Sequence, residues 1–456
     1  MTEISKVNIR KEATLSLQEI LDEGGYSSIV LQQHLRAWPE TEERDRRLYT
    51  SLVYTTLDHL PTVEAGLAAW SSVPLRKMKP WIRNCLRLGL AQLLYMDKIP
   101  ASAAVHETVE LVKQSPYRGL AGFVNGVLRG ALRAGLQVPQ PDPVRQPLEA
   151  MSLRYDMPIW IVRLWQQAYG AETAEMLLRR SQGEKPLCCR VNSIKNEPDK
   201  LYEQLAEMLG PERIRRSEIL PEALYLQYSG DITQWAPYRD GLLSIQDESS
   251  MLAATAAGAR PGDSVLDLCA APGGKSVVMA QQMRDRGEIR SLDRHPHRVA
   301  LIQKNVERLG LHCIHPAVAD GTAPESVEEA AYDVVLVDAP CSGLGILRSK
   351  PDIKYHRAPQ EQAELTALQG QLLRNAARGV KTGGRLAYST CTINPEENEK
   401  QVEAFLAENP AFELVDLEKE LPILPECDRL LKKYLLLYPQ PKGRDGFFAA
   451  VMKRVK

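Results

Sequence analysis

Apolar residues in the first third of the chain recur every three or four positions, which is the period of a helix packed on one face. The spacing is clearest in "VHETVELVKQ" (105–114) and "AGFVNGVLRGALRAGL" (121–136). The pattern stops at "VPQPDPVRQP" (138–147), where four prolines among ten residues favour an extended connector over a helix. The sequence therefore predicts an all-helical first domain over residues 1–143.

A mixed pattern occupies the next stretch. "MPIWIVRLWQQAYGAETAEMLLRRSQ" (157–182) has the spacing of two amphipathic helices, and the apolar "LCCRVNS" (187–193) has the length of a strand. A further helical pattern follows in "PDKLYEQLAEMLG" (198–210). We predict a small α/β domain over residues 144–235.

From residue 236 onward, short apolar runs alternate with helical patterns. Helices of ten or more residues between apolar strands are typical of a parallel, doubly wound sheet. We therefore predict an α/β domain with a mostly parallel, doubly wound sheet over residues 236–456, whose ligands bind at the carboxyl ends of the strands. The predicted strands include "SVLDLCA" (264–270), "IRSLD" (289–293), "CIHPAVAD" (313–320), "DVVLVDAP" (333–340), "GRLAYSTC" (384–391) and the closing "GFFAAVMKR" (446–454).

Composition agrees with a soluble protein of several domains. The chain has 456 residues, of which 44% are hydrophobic and 25% charged. No apolar run approaches the roughly 18 residues of a membrane span, and the chain start lacks the apolar region of a signal peptide. We expect a cytoplasmic protein without a membrane partner, and by default a monomer.

Charge and cysteine usage narrow the choice of partners. The net charge of −1 argues against a protein that binds polyanions over its whole surface, but it leaves room for a local basic face. Candidates for phosphate contacts are "LRKMKPWIRNCLR" (75–87) and "RIRR" (213–216), although either could be a solvated surface. The eight cysteines lack the paired spacing of zinc sites, so we expect no metal.

The segment "VLDLCAAPGGKS" (265–276) combines a strand, a Pro-Gly-Gly turn and a helix start. Its glycines allow close approach of the backbone to a ligand, and the helix start offers unpaired N–H groups. It matches neither the dinucleotide fingerprint nor the P-loop. Asp293 ends the second strand, where a carboxylate can accept hydrogen bonds from ribose, and Asp320 ends the third, near an adenine amino group. These positions predict an adenosine-containing cofactor, either S-adenosylmethionine or a dinucleotide.

Two cysteines follow the next two strands. Cys341 comes three residues after Asp338, and Cys391 ends "YSTC". Methylation of cytosine at carbon 5 requires a thiolate to add to carbon 6, and a carboxylate such as Asp338 near ring nitrogen 3 would favour that addition. Spacing does not decide which thiol attacks, although a Pro-Cys pair is the nucleophile pattern of DNA cytosine methylases and favours Cys341.

Several long motifs, in the right order, closely resemble the RNA cytosine-5 methyltransferase family that includes the bacterial RsmB (Sun/Fmu) enzymes. They are "LDLCAAPGGKS", "VLVDAPCSGLGILRSKPDIKY" and "LAYSTCTINPEENE", with "RVNS", "GLLSIQDESS" and "GRDGFFAAVMKR" in support. The segments "RDRRLYTSLVYTTL" and "GFVNGVLR" resemble the NusB-like RNA-binding domain of the same family. The resemblance covers nearly the whole chain.

The resemblance implies an all-α NusB-like domain, a small α/β RNA-recognition-like domain and a Rossmann-like class I methyltransferase domain. It makes Cys391 the nucleophile and gives Cys341 a role in product release. The implied cofactor is S-adenosylmethionine, and the implied substrate is one cytosine in the small-subunit (16S) ribosomal RNA. The implied cofactor contacts are Cys269, Ala270, Ala271, Pro272, Gly273, Gly274, Lys275, Asp293, Asp320 and Asp338.

Three other functions compete with this one. A cytosine-5 methyltransferase of transfer RNA would share every catalytic motif, and only the NusB-like domain argues against it. A non-catalytic RNA-binding factor would not need both strand-end cysteines. A dinucleotide oxidoreductase would need the glycine fingerprint that this sequence lacks.

Overall fold

The computed structural model describes residues 7–38, 41–228, 230–357, 359–421, 430–431 and 433–456. The chain divides into two compact units. Met1–Arg179 and Lys350–Ala358 form the helical unit, and Arg180–Ser349 and Pro359–Lys456 form the α/β unit. Residues 1–6, which carry the expectation about the chain start, lie outside the described residues. No helix within the described ranges is long and apolar enough to span a bilayer.

Eighteen α-helices are present in the described residues, and they are numbered here in chain order. The ninth is interrupted at Gly170, whose φ of +78° is outside the helical range. The helices are α1 Ile9–Asp22, α2 Ser27–Ala37, α3 Glu43–Asp58, α4 Leu60–Trp70, α5 Pro80–Tyr95, α6 Ala101–Lys113, α7 Ala121–Arg133, α8 Pro147–Arg154, α9 Ile159–Arg180, α10 Pro198–Leu209, α11 Ala236–Arg239, α12 Glu248–Ala257, α13 Gly274–Gln282, α14 Pro296–Leu309, α15 Ile353–His356, α16 Gln362–Gly379, α17 Glu399–Glu408 and α18 Leu417–Glu420.

The strands fall into two sheets, of which the first is small and antiparallel and the second is large and mixed. They are β1 Leu187–Val191, β2 Ile214–Arg216, β3 Ala223–Leu226, β4 Leu243–Ile245, β5 Ser264–Asp267, β6 Glu288–Asp293, β7 Ile314–Val318, β8 Tyr332–Asp338, β9 Val380–Thr390, β10 Phe412–Leu414, β11 Leu430–Leu431, β12 Tyr434–Leu437 and β13 Phe447–Arg454.

Helix α5 is the centre of the helical unit. It is buried over one continuous stretch, residues 84–92, so neighbouring helices cover it on all sides. Leu88 packs into the cluster built by α1 and α3, whereas Leu86 and Leu90 pack into the cluster built with α4, α6 and α7. The described residues of this unit contain no strand, which confirms the predicted all-helical first domain.

The helical unit includes a short segment that comes from far along the chain. In residues 350–358, the buried Asp352 accepts hydrogen bonds from the backbone N–H and hydroxyl of Ser27, at 3.1 and 2.5 Å. The ammonium of Lys354 donates to the carbonyls of Asp58 and Asp156, each at 3.0 Å. Polar groups this deep require such partners, so the segment is an integral part of the helical fold.

The small sheet has the strand order β2-β3-β1-β4, with every pairing antiparallel. Its strand β1 alternates between two cores because successive side chains point to opposite faces. Cys189 packs with Leu201 and Leu205 of α10, whereas Cys188 packs with Met251 of α12 and Val278 of α13. The predicted small α/β domain is therefore present, with one face packed on the larger fold.

The large sheet has the order β11-β12-β13-β9-β8-β5-β6-β7, and β10 pairs with β13. Strands β5 to β9 are parallel, as predicted. The closing strand β13 runs antiparallel to β9. It is also antiparallel to β12, because residues 438–446 connect these two strands without an intervening helix. The chain builds outward from β5 through β6 and β7 and then returns to place β8 on the other side of β5. The sheet thus has a topological switch point between β5 and β8, where such folds bind ligands.

Asn192 joins the small sheet to the large fold. Its side-chain amide donates to the carbonyls of Gly241 and Leu309, both at 2.9 Å, and the residue is 1% exposed. Asn192→Ala leaves both carbonyls without this donor, so we expect the free energy of unfolding to fall by about 1–3 kcal/mol. Urea denaturation measures the change, and Gln204→Ala on the exposed face of α10 is the control, expected within about 0.5 kcal/mol of wild type. Equal effects of the two variants would contradict the anchoring role.

Candidate active site

Two glycines without side chains, Gly273 and Gly274, form part of the turn between β5 and α13. Gly273 has φ of +98°, in the left-handed region, and a Cβ there would lie 3.0 Å from the Ile302 side chain. A Cβ on Gly274 would lie 3.3 Å from the Gln246 amide. Residues 269–275 therefore form a close cradle at the start of α13, whose first N–H groups have no partner within the helix.

A buried aspartate supports this cradle from below. Asp267 is fully buried, and its Oδ2 accepts a hydrogen bond at 2.6 Å from the Ser276 hydroxyl, which in turn accepts one at 2.9 Å from Ser291. Burial raises the pKa of the Asp267 carboxyl to about 7. Sequence reasoning missed Asp267, although an acidic residue at the end of the first strand was a signal that could have found it. These hydrogen bonds connect β5, α13 and β6 beneath the turn.

Asp293 and Asp320 lie at the carboxyl ends of β6 and β7, on the same rim as the cradle. Asp293 is 4% exposed, accepts from the N–H of His295 at 3.0 Å and lies 3.2 Å from the Arg298 guanidinium. Asp320 is exposed, and hydrogen bonds from the backbone and hydroxyl of Thr322 lower the pKa of its carboxyl. Both carboxylates are thus oriented by local contacts at the positions that the strand order predicted.

Asp338 sits at the switch point, as the last residue of β8. Its Oδ2 lies 2.6 Å from the ammonium of Lys275 in the first turn of α13, and its Oδ1 accepts from the Ser389 hydroxyl at 2.9 Å. The Lys275 ammonium also lies 4.9 Å from the centre of the Phe447 ring. Each oxygen of Asp338 is therefore held from a different element, while the side chain stays partly exposed to the crevice.

Cys341 and Cys391, the two cysteines that the sequence indicated, are in contact with each other. The Sγ atoms of Cys341 and Cys391 are 3.3 Å apart, longer than the roughly 2.05 Å of a covalent disulfide. Cys341 is buried and Cys391 is partly exposed. The contact with Cys391 and burial together raise the pKa of the Cys341 thiol well above its usual range. The site therefore provides two unequal thiols, of which Cys341 is the more buried.

Gly345 is hydrogen-bonded between the loops that carry the two thiols and holds them together. The N–H of Gly345 donates to the carbonyl of Cys391 at 3.0 Å, and its own carbonyl accepts from Gly446 at 2.8 Å. A Cβ at position 345 would lie 2.2 Å from the Gly446 oxygen and 2.9 Å from the Cys391 oxygen. Only glycine fits this crossing, and sequence reasoning did not single it out.

The arginines of 213–216 are largely engaged within the protein. Arg216 pairs with Asp199 and stacks on Tyr202, and Arg215 donates to the Lys442 carbonyl and stacks on Tyr225. These contacts weaken the case for that segment as a phosphate-binding site.

In the basic stretch 75–87, some cations form ion pairs within the protein and others are exposed. Arg83 pairs with Asp22, and the buried Arg87 pairs with Glu64. The exposed cations of this stretch, which remain the better candidates for phosphate contacts, are Arg76, Lys77 and Lys79. Within the described ranges, no group of three or more His, Cys, Asp or Glu residues could hold a metal ion.

Family comparisons match three segments of the chain. Residues 7–133 match the NusB family, residues 157–233 match the ferredoxin-like domain of RsmF/B-like methyltransferases, and residues 254–453 match the family described as 16S rRNA methyltransferase RsmB/F. The three matches follow one another in the same order as the all-helical part, the small sheet and the large sheet.

Whole-chain comparisons point the same way. The chain is 39% identical to a probable ribosomal RNA small subunit methyltransferase B of Bacillus subtilis, over 99% of this chain and 100% of that protein. It is 31% identical to the ribosomal RNA small subunit methyltransferase B of Serratia proteamaculans, over 97% of this chain and 98% of that one. Among solved structures, the crystal structure of PH0851 superposes with a TM-score of 0.82 at 25% identity, over 98% of this chain and 99% of that chain.

The close packing of Gly345 against Gly446 and Cys391 predicts that a larger residue at position 345 disrupts the site. Gly345→Ala forces the Cβ against two carbonyl oxygens, so the thiol loops must separate, and we expect methyl transfer to fall by at least about 10²-fold. Gly126→Ala on α7 is the control, because a Cβ there meets nothing within 4 Å. The control should keep wild-type activity and gain up to about 1 kcal/mol of stability. Activity assays and thermal denaturation compare the two variants, and an active Gly345→Ala enzyme would refute the steric argument.

Proposed function

Because the chain belongs to the ribosomal RNA small subunit methyltransferase B family, we propose that it methylates carbon 5 of one cytosine in 16S ribosomal RNA through a covalent cysteine–cytosine adduct. The methyl donor is S-adenosylmethionine, which supplies an activated methyl group when it is bound. The observation that carries the proposal is the pair of thiols, 3.3 Å apart, beside the carboxylate of Asp338.

The chemistry of cytosine explains why two thiols are useful. Carbon 5 is a weak nucleophile until a thiolate adds to carbon 6 and makes carbon 5 enamine-like. After carbon 5 has taken the methyl group, its proton must pass to a base. The sulfur–carbon 6 bond then breaks, and its electron pair leaves with the sulfur as the 5,6 double bond re-forms. One thiol therefore attacks, and the second group assists the proton transfers that release the product.

We assign the attack to Cys391 and the release step to Cys341. The partial exposure of Cys391 lets a flipped base reach its sulfur, whereas Cys341 is buried and its raised pKa keeps it protonated. A protonated thiol is a poor nucleophile. It can, however, give its proton to the sulfur of Cys391 as the bond to carbon 6 breaks, while the carbon 5 proton passes to water. This assignment agrees with the family resemblance, and it departs from the Pro-Cys pattern that favoured Cys341.

Asp338 orients the base in this proposal. Lys275 and Ser389 fix its carboxylate, which faces the exocyclic amine and ring nitrogen 3 of a cytosine whose carbon 6 lies against Cys391. The carboxylate can accept a hydrogen bond from the exocyclic amine, which holds the base in the orientation that the addition requires. The carboxylate thus acts only on a base that is presented in the productive orientation.

The residues of the cradle fit the proposed cofactor. The helix start of α13 can bind the carboxylate of an amino acid, and Asp293 can accept hydrogen bonds from ribose hydroxyls. The absence of a Cβ at Gly273 and Gly274 lets Ile302 and Gln246 pack closely against the turn and so fixes its shape. We propose that the cofactor contacts Cys269, Ala270, Ala271, Pro272, Gly273, Gly274, Lys275, Asp293, Asp320 and Asp338.

Ribosomal RNA is the substrate favoured over transfer RNA. The support is that relatives described as small-subunit ribosomal RNA methyltransferases align along 97–99% of this chain, including the part that matches the NusB family. A non-catalytic RNA-binding role is disfavoured because it has no use for the paired thiols. The cytoplasmic location, the monomeric state and the domain boundaries at 143 and 235 stay predictions.

The substrate assignment is tested by mapping the methyl group. The protein is incubated with radiolabelled S-adenosylmethionine and either unmodified 16S ribosomal RNA or transfer RNA, and the labelled nucleoside is identified by mass spectrometry. We expect 5-methylcytidine at one position of the ribosomal RNA. Label on a ring nitrogen or a ribose would overturn the reaction, and label on transfer RNA alone would overturn the substrate.

The roles of the thiols are tested by adduct formation on denaturing gels. Cys391→Ala should form no covalent adduct with RNA and no product, because the attacking sulfur is absent. Cys341→Ala should accumulate the adduct, because release is slowed. The control is Cys313→Ala, whose buried thiol at the start of β7 packs in the hydrophobic core and should be dispensable for activity. The reverse pattern would assign the attack to Cys341.

A further inference from the structure

Glu397 is a buried carboxylate that the reaction described above does not use. It lies after Cys391 in "TINPEENE", between β9 and α17, and it is 0% exposed. Its Oε1 accepts from the hydroxyl of Ser342 at 2.5 Å and from the amide of Asn394 at 3.1 Å. Its Oε2 accepts from the N–H of Ser342 at 2.8 Å and from the amide of Gln369 at 3.0 Å. Four neutral donors therefore solvate one buried negative charge.

The donors come from both thiol loops. Ser342 directly follows Cys341, and Asn394 is three residues after Cys391. The Ser342 hydroxyl also lies 2.9 Å from that of Thr392, the residue after Cys391. Glu397 thus connects the backbone next to one sulfur to the side chains next to the other.

A charge in this place needs a physical reason. Burying a carboxylate is costly, and hydrogen bonds to a charged acceptor are about twice as strong and more directional than neutral ones. A neutral core would stabilise the fold at lower cost, whereas the charge gives the loops a rigid geometry. The same negative charge also disfavours a thiolate at Cys341, which adds to the burial of that thiol.

We propose that Glu397 is a positioning residue, which holds Ser342 and Asn394 so that the sulfurs of Cys341 and Cys391 face each other at the distance that product release requires. Gln369 completes this arrangement, because its amide also donates to the Pro340 carbonyl at 2.9 Å. The proposal has two parts. The catalytic part, in which Glu397 assists product release, rests on the proposed function. The geometric part, in which Glu397 positions the two sulfurs, does not depend on that function.

The geometric part is tested without RNA or cofactor. The protein is equilibrated with mixtures of reduced and oxidised glutathione, so that oxidised glutathione becomes two thiols as the Cys341 and Cys391 thiols become a disulfide. The disulfide fraction is then measured by alkylation and mass spectrometry. Glu397→Gln keeps the shape but replaces one acceptor oxygen by a donor, so we expect the equilibrium constant for the disulfide to fall by about tenfold or more. Glu396→Gln, the exposed neighbour paired with Lys400, should match wild type.

The catalytic part is tested by kinetics on ribosomal RNA. Glu397→Gln should lower kcat by about 10²-fold and accumulate the covalent adduct. Its KM for S-adenosylmethionine should stay within about twofold, because the cradle is untouched. Glu397→Asp keeps the charge and should restore part of kcat. If Glu397→Gln does not fold, Ser342→Ala replaces it, since it removes the hydroxyl contacts to Glu397 and Thr392 while leaving the carboxylate in place.

The outcomes separate this proposal from the proposed function. A wild-type disulfide equilibrium in a folded Glu397→Gln protein would overturn the positioning role, even if the enzyme methylates carbon 5. A reduced disulfide fraction in a protein that methylates another atom would support the positioning role and overturn the proposed reaction. A raised KM for S-adenosylmethionine with unchanged kcat would also overturn the positioning role, because the effect would then lie in the cofactor cradle.

Discussion

The ion pair between Lys275 and Asp338 is the contact on which the site depends. It joins the first turn of α13 to the last residue of β8, so it spans the switch point between the two halves of the sheet. A lysine at a helix start is unfavourable because the helix dipole is positive there. The adjacent carboxylate offsets that cost and is itself held in one orientation. The cradle and the thiols therefore cannot shift independently of each other.

The rest of the α/β unit stabilises this arrangement through buried polar contacts in addition to apolar packing. The 3%-exposed Arg190 of β1 donates to the carbonyl of Gly274 at 2.8 Å and to Gln246, directly behind the cradle. Burial, together with the nearby Arg308, lowers the pKa of the Arg190 guanidinium to about 9. Asn192 and Lys195 in the same segment donate to carbonyls at the end of α14. The small sheet thus fixes the backbone on which the proposed cofactor rests.

The sequence predicted features that follow from periodicity and strand order. The helical first part, the parallel strands and the convergence of Asp338, Cys341 and Cys391 are of this kind, because carboxyl ends of adjacent parallel strands must meet. Gly345 and Glu397 were not predictable in the same way, since their partners become neighbours only in the folded chain. The segment around Lys354 was missed for that reason too, because its acceptors are about 200 and 300 residues away. Local charge also gave no sign of the ion pair of Arg216, because its partner Asp199 belongs to another element of the fold.

The choice between the two thiols depends on their surroundings rather than on their motifs. The Pro-Cys pattern favoured Cys341, but the fold buries that sulfur and places Glu397 beside its loop, which opposes ionisation. A nucleophilic thiolate needs nearby positive charge or a helix start, and it needs access to its substrate. Cys391 has the access, and the sulfonium of the cofactor would supply positive charge when it is bound. The negative charge of Glu397 adds to the burial that raises the pKa of the Cys341 thiol. In the proposed function, this difference in surroundings accounts for the different roles of two chemically identical residues.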